Sequence, residues 1–146
     1  MLLAEVRRAN KIAIAVASSG IAATLLLGGR TAHSAFRLPF NLFSRDELTC
    51  HISKSSELAE RLRKCKLLVW DEATMSNKSA VEAVNRTLQD LRDCDKIMGG
   101  LTLLLSCDFR QTLPVIQRGT KADEIEACIK CSFYGGLQLC CHFLPT

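Results

Sequence analysis

Aromatic side chains are scarce in this chain, at 5% of 146 residues. That is too few for the stacking platform on which single-strand-binding folds lay out bases. Long apolar runs are missing too. Leu2-Leu3-Ala4 is interrupted by Glu5 and Arg7-Arg8, and the apolar stretch over residues 12–17 falls far short of the roughly 20 residues a membrane span needs. No secretory leader, internal repeat or low-complexity linker is evident, so the composition predicts a soluble intracellular protein.

The residues present describe an ordinary globular domain. Hydrophobic residues make up 48% and charged residues 23%, enough to bury a core and too apolar for a disordered tail. The net charge of +4 is unevenly spread. Residues 1–45 carry Arg7, Arg8, Lys11, Arg30, Arg37 and Arg45 against Glu5 alone, whereas the remaining 101 residues carry 13 bases and 14 acids. A basic excess confined to one segment fits either a phosphate-backbone footprint or a solvated basic surface.

Eight cysteines are many for a reducing compartment, where disulfides are not expected. Cys65 and Cys107 lie in or beside apolar strand segments and read as small core residues. Cys128-x-x-Cys131 followed by Cys140-Cys141-His142 offers zinc-type ligands. Adjacent Cys140 and Cys141 cannot easily both face one ion, however, so incidental cysteines are the competing reading.

Hydrophobic patterning divides the chain into alternating elements. Residues 1–10 read as a helix with Leu2, Leu3 and Val6 on one face and Arg7-Arg8 turned away. Residues 11–17 form a short, nearly all-apolar strand. Ser18-Ser19-Gly20 is a turn that can cap a helix over 21–27, which Gly28-Gly29 ends. Residues 31–36 make a helical turn stopped by Pro39, and residues 37–53 read as a loop. Ser53 or Ser55 can cap a helix running to about Lys64. A second strand covers 67–70. Asn77 caps a longer helix in which Val81, Val84, Leu88 and Leu91 recur at helical spacing. Gly99-Gly100 turns the chain into a third strand over 101–105, and residues 121–131 read as helical.

Strands without polar alternation are buried on both faces, and helices between them enforce parallel crossovers. The predicted fold is therefore α/β: a mostly parallel sheet flanked by helices. Such sheets collect ligands at the carboxyl ends of their strands, where Ser18, Asp71 and Asp108 all fall.

The chemistry at those ends is specific in kind. An apolar run closing on Asp71-Glu72 can present one carboxylate to hold a hard divalent cation and a second to orient and deprotonate a water. An acidic helix-capping turn is the plain alternative. The run over 101–105 leads into Asp108-Phe109-Arg110-Gln111, which places a polar sensor beyond another strand. Nucleotide hydrolysis asks for these parts together with a phosphate cradle.

With these segments in hand, the chain resembles the Pif-type DNA helicases of superfamily 1, especially the Helitron-transposon branch. The stretches that carry the resemblance are Ala15-Val16-Ala17-Ser18-Ser19-Gly20-Ile21-Ala22-Ala23, Gly28-Gly29-Arg30-Thr31-Ala32-His33-Ser34, Val69-Trp70-Asp71-Glu72-Ala73-Thr74-Met75 and Asp108-Phe109-Arg110-Gln111-Thr112-Leu113-Pro114-Val115. They fall in family order and extend to about Phe133. The resemblance implies a RecA-like, P-loop NTPase sheet and a 5′-to-3′ DNA helicase that uses ATP with Mg²⁺ and binds single-stranded DNA. It also implies a nuclear role in repair and recombination. By carry-over, Asp71 is the metal-holding carboxylate, Glu72 the water-activating one and Gln111 the γ-phosphate sensor. Ser19, Gly20, Thr31 and His33 match segments that hold the single-strand backbone, with Arg37 in the basic segment as a further phosphate contact.

The departures are as informative. No glycine-rich loop ending in Gly-Lys-Ser/Thr occurs in the sequence, so the anchor for the β- and γ-phosphates is missing. Ser106-Cys107 stands where the family usually has two glycines. The expectation is a partial first RecA-like motor domain over 1–134, its sheet incomplete at the N-terminal edge, followed by a divergent tail over 135–146. Two functions follow: a piece of an ATP-driven helicase, or a non-catalytic transposon-derived remnant that binds single-stranded DNA weakly.

Overall fold

The computed structural model describes residues 2–39, 48–106, 114, 116 and 119–129. At its centre is a parallel sheet of four strands: β1 (Ile12–Ala17), β2 (Arg30–Thr31), β3 (Cys65–Asp71) and β4 (Thr102–Leu105), in the order β2-β1-β3-β4. Helices α1 (Leu2–Arg8), α2 (Gly20–Leu25), α3 (Ala32–Phe36), α4 (Glu57–Lys64), α5 (Lys78–Arg92) and α6 (Lys121–Glu126) connect and flank them. The α/β class and the parallel sheet are as the patterning predicts.

β1 and β3 are adjacent, and nearly all of β3 is buried because both of its faces are covered. On one face Leu68 and Trp70 join Phe36 of α3, Leu62 of α4 and Val81, Val84, Leu88 and Leu91 of α5 in the main core. On the other, Ala13, Leu67 and Val69 pack beneath Leu3 and Val6 of α1. Doubly covered strands carry no polar alternation, which is why these runs read clearly in the sequence.

Several local readings change. β2 is only two residues long, too short for any period, and its second residue, Thr31, caps the helical turn expected over 31–36 rather than opening it. The α2 helix begins at Gly20 and ends at Leu25 rather than running to 27. Ser56, not Ser53 or Ser55, caps α4, its Oγ accepting from the Ala59 N–H at 3.2 Å. Ser53 instead lends its carbonyl to the Ser56 N–H and hydroxyl, closing the preceding turn. Arg7 is not turned away: its guanidinium donates to the carbonyls of Leu27 at 3.0 Å and Ala13 at 3.3 Å, pinning α1 to β1 and to the turn before β2.

Asn77 caps α5 as expected, accepting from Ser79 N–H at 2.9 Å. Two buried polar residues of that helix fasten neighbours to it. Thr87 Oγ1 accepts the Cys50 N–H at 2.9 Å, and Asn85 Oδ1 accepts the Met98 N–H at 2.6 Å. The turn into β4 needs glycine at 99, where φ is +58° and a Cβ would lie 2.6 Å from the Leu88 carbonyl oxygen. Cys50, Cys65 and Cys128 are buried free thiols, and burial pushes the Cys50 thiol up to about 11. Residues 121–126 are helical, and Ala127 accepts the Lys78 N–H at 2.8 Å, so Cys128 and Ile129 enter the main core. Cys131, Cys140, Cys141 and His142 lie outside the described residues.

Candidate nucleotide and nucleic-acid site

Register brings the carboxyl ends of three strands to one rim. Ala17 pairs with Asp71 and Trp70 with Leu105, so Ser18, Glu72 and Ser106 leave the sheet side by side. Backbone bonds fix them there. Ser18 N–H donates to the Asp71 carbonyl at 3.1 Å, Ser106 N–H to the Trp70 carbonyl at 2.9 Å, and Ala73 N–H to the Ser106 carbonyl at 3.1 Å. Ser106 therefore bonds through its backbone on both sides.

Asp71 ends β3, half-buried, and its Oδ1 accepts the N–H of Glu72 at 2.9 Å. Glu72 turns sharply out of the strand in a left-handed conformation (φ 51°, ψ 37°), and a 3-10 turn over Ala73–Met75 follows. Such a φ is uncommon outside glycine and marks a constrained position. The Glu72 carboxylate swings toward the loop after β1, where Ser19 Oγ donates to its Oε2 at 2.5 Å. The same Ser19 oxygen accepts the Ala22 N–H at 3.2 Å and caps α2.

Behind this pair stands a relay that the sequence patterns did not reveal. Trp70 Nε1 donates to Ser18 Oγ at 3.0 Å, and Ser18 Oγ donates to Ser76 Oγ at 3.1 Å. Trp70 is wholly buried, and a buried indole N–H requires an acceptor. The single tryptophan, two residues before Glu72, was the available signal. Ser18 is thus spent on holding the rim together, while Ser19 faces the acidic residue.

The residues assigned to single-strand contact fall along the elements that follow β1. Gly20 opens α2, is exposed, and has no heavy atom within 4 Å of where a Cβ would stand. Thr31 ends β2 and caps α3, Oγ1 accepting from Ser34 N–H at 3.3 Å. His33 is exposed in α3, and its carbonyl accepts the Leu38 N–H at 3.1 Å. Arg37 closes α3 in a left-handed conformation with its side chain exposed, and its carbonyl accepts the His51 N–H at 3.1 Å. Thr31 pairs with Ala17, so the capping threonine belongs to the same rim as Ser18. Arg8, Lys11 and Arg30 are exposed as well, whereas Arg7 is engaged by carbonyls. A cavity of about 80 Å³ bordered by Arg7, Arg30 and Arg61 lies against Ala13, Ile14 and Ala15, not at the rim. Asp108, Arg110, Gln111 and Arg45 lie outside the described residues.

The donor set suits a hard divalent cation better than zinc. Among the described residues no three His, Cys, Asp or Glu side chains gather as a metal cluster. Mg²⁺ needs no such cage, since one or two carboxylates with water and substrate phosphate oxygens complete its shell. Asp71 at the strand end fits that demand.

Comparison with known proteins gives this geometry its context. The PIF1-like helicase family model matches residues 1–136. The chain belongs to the PIF1-like helicases. An ATP-dependent DNA helicase Pif1 from Psychrobacter sp. (strain PRwf-1) is 32% identical over 139 residues, covering 91% of this chain and 20% of the relative. A second, from Bdellovibrio bacteriovorus, is 35% identical over 106 residues, covering 73% of this chain and 24% of the relative. The structure of Bacteroides Pif1 bound to ssDNA superposes with a TM-score of 0.67 at 31% identity, covering 92% of this chain and 30% of that one. Bacteroides Pif1 in complex with ADP-AlF3 and ssDNA superposes with a TM-score of 0.72 at 26% identity, covering 85% of this chain and 29% of that one. The chain thus spans about a fifth to a quarter of the length of these curated relatives. No described helix of this PIF1-like chain is long and apolar enough to cross a membrane.

Proposed function

We propose that this chain is a partial first RecA-like motor domain, lacking the phosphate loop, of a 5′-to-3′ DNA helicase, over residues 1–134, with 135–146 as a divergent tail. The observation that carries the reading is the rim itself: Ser19 of the loop after β1 and Glu72 of the turn after β3 share a hydrogen bond at the carboxyl edge of a parallel sheet. That edge is where such sheets do chemistry on nucleotides. In this assignment Asp71 holds Mg²⁺, which neutralises phosphate charge when bound. Glu72 orients and deprotonates the attacking water. Gln111 senses the γ-phosphate. Ser19, Gly20, Thr31, His33 and Arg37 hold the single-strand backbone, and their placement on consecutive elements after β1 supports one continuous track. A motor of this type serves DNA repair and recombination in the nucleus.

Two measurements test this. Binding of a labelled single-stranded oligonucleotide to the 146-residue chain is expected to be weak and to fall steeply between about 50 and 200 mM salt. Arg37→Glu should weaken it several-fold at low salt. Binding that ignores salt, or that Arg37→Glu leaves untouched, removes the phosphate track from the proposal. The second concerns catalysis. With no Gly-Lys-Ser/Thr loop in its sequence, this polypeptide is expected to show no DNA-stimulated ATP turnover above a Glu72→Gln control. Turnover in the unaltered chain that the control abolishes would overturn the assignment of phosphate gripping to a loop outside these residues.

A further inference from the structure

Ser19 is asked to serve two acceptors with one proton. Its hydroxyl carries a single hydrogen, and in this structure that hydrogen goes to Glu72 Oε2 at 2.5 Å. One of its lone pairs is already engaged by the Ala22 N–H. A DNA phosphate oxygen is purely an acceptor, so a direct bond from Ser19 to the backbone must take the proton away from Glu72. We infer that Ser19 is a positioning residue that holds the Glu72 carboxylate in reserve and releases it when a single-strand phosphate claims the same hydroxyl. This rests on the functional reading above and adds to it how hydrolysis is made to wait for DNA.

The surroundings make the exchange a switch between two partners rather than a loosening of the site. Ser18 is locked by the Trp70 indole, the Ser76 hydroxyl and the Asp71 carbonyl. The loop therefore cannot retreat when Ser19 changes partner. Glu72 is held at its own N–H by Asp71 Oδ1, so its backbone stays in the left-handed turn while the carboxylate is freed to swing. Hydrogen bonds to charged groups are the stronger kind in proteins. Competition for one proton is reciprocal: if DNA dislodges Glu72, then Glu72 weakens DNA binding by the same factor.

That reciprocity is measurable in the chain as it stands, without catalysis. Single-strand dissociation constants are compared for the unaltered chain, Glu72→Ala, Ser19→Gly and the double variant, with circular dichroism confirming the fold of each. Glycine retains most of the capping preference at position 19. Deleting the Glu72 charge tightens binding in either background through simple electrostatics. The proton competition adds a further gain, about tenfold, that appears only when the Ser19 hydroxyl is present. Ser19→Thr, which keeps a hydroxyl, should restore the larger gain. Equal gains from Glu72→Ala with and without the hydroxyl, in chains that still bind DNA, overturn this inference and leave the functional reading standing. Absence of single-strand binding by every protein, including the unaltered one at low salt, overturns both.

Discussion

Replacing Trp70 by alanine is expected to cost about 3–5 kcal/mol of folding stability, the range for emptying a large aromatic site in a packed core. Trp70 is wholly buried near the carboxyl end of β3. Its ring lies against Phe36 with centroids 5.9 Å apart, a contact worth something beyond the buried area. Its indole also donates to Ser18 Oγ at 3.0 Å, so the substitution removes packing and a rim hydrogen bond together. A domain of this size has only about 5–15 kcal/mol to lose. Chemical denaturation followed by far-ultraviolet circular dichroism measures the change. The indole fluorescence cannot serve, because Trp70 is the chain's one tryptophan. Trp70→Phe separates the two contributions: it keeps an aromatic core and deletes the N–H, and should cost about 1–3 kcal/mol. A Trp70→Ala midpoint within 1 kcal/mol of the unaltered chain would refute the packing described for this face of the sheet.

How much of this was legible beforehand depends on which forces leave a pattern. A strand buried on both faces announces itself as an apolar run, so β3 and most of β1 are visible; β4 shows through its leucines although only Leu105 is buried, and α5 is visible through Val81, Val84, Leu88 and Leu91. Asp71-Glu72 reads as a site because acids directly ending a buried run are costly unless used. What stays hidden is whatever depends on tertiary approach. β2 exists only because Arg30 and Thr31 happen to run beside Val16 and Ala17. Arg7 looks solvent-facing on a helical wheel, yet a long guanidinium reaches carbonyls that the wheel does not show. The division of labour between Ser18, which braces the rim, and Ser19, which meets Glu72, cannot be read from two adjacent serines. Gln111 lies outside the described residues.

The second large effect is expected far from the rim, at Arg92. This half-buried side chain sits in the last turn of α5 and donates to four carbonyls. Nε reaches Gly99 at 2.7 Å, while Nη1 reaches Leu62 at 3.1 Å, Arg63 at 3.0 Å and Cys65 at 3.0 Å. Leu62 and Arg63 belong to the final turn of α4, where carbonyls run short of intrahelical donors; the Leu62 carbonyl also accepts the Cys65 N–H that caps the helix, and Arg92 adds a second donor. Cys65 is the first residue of β3. One guanidinium thus joins the end of α4, the start of β3, the end of α5 and the turn before β4. Arg92→Ala leaves several of these carbonyls underbonded and is expected to cost about 2–4 kcal/mol. Arg92→Lys is the sharper test. It keeps the charge but replaces a planar fork with a single point donor, which cannot span the same four oxygens, so it should recover less than half of the loss. Denaturation midpoints of the three proteins decide it. A lysine variant as stable as the parent would mean that charge alone, and not the fork, holds this junction. The consequence reaches the chemistry, because β3 starts at the carbonyl that Arg92 grips and finishes at Asp71. A junction that slips by one residue would turn every β3 side chain to the opposite face and carry the carboxylates away from Ser19.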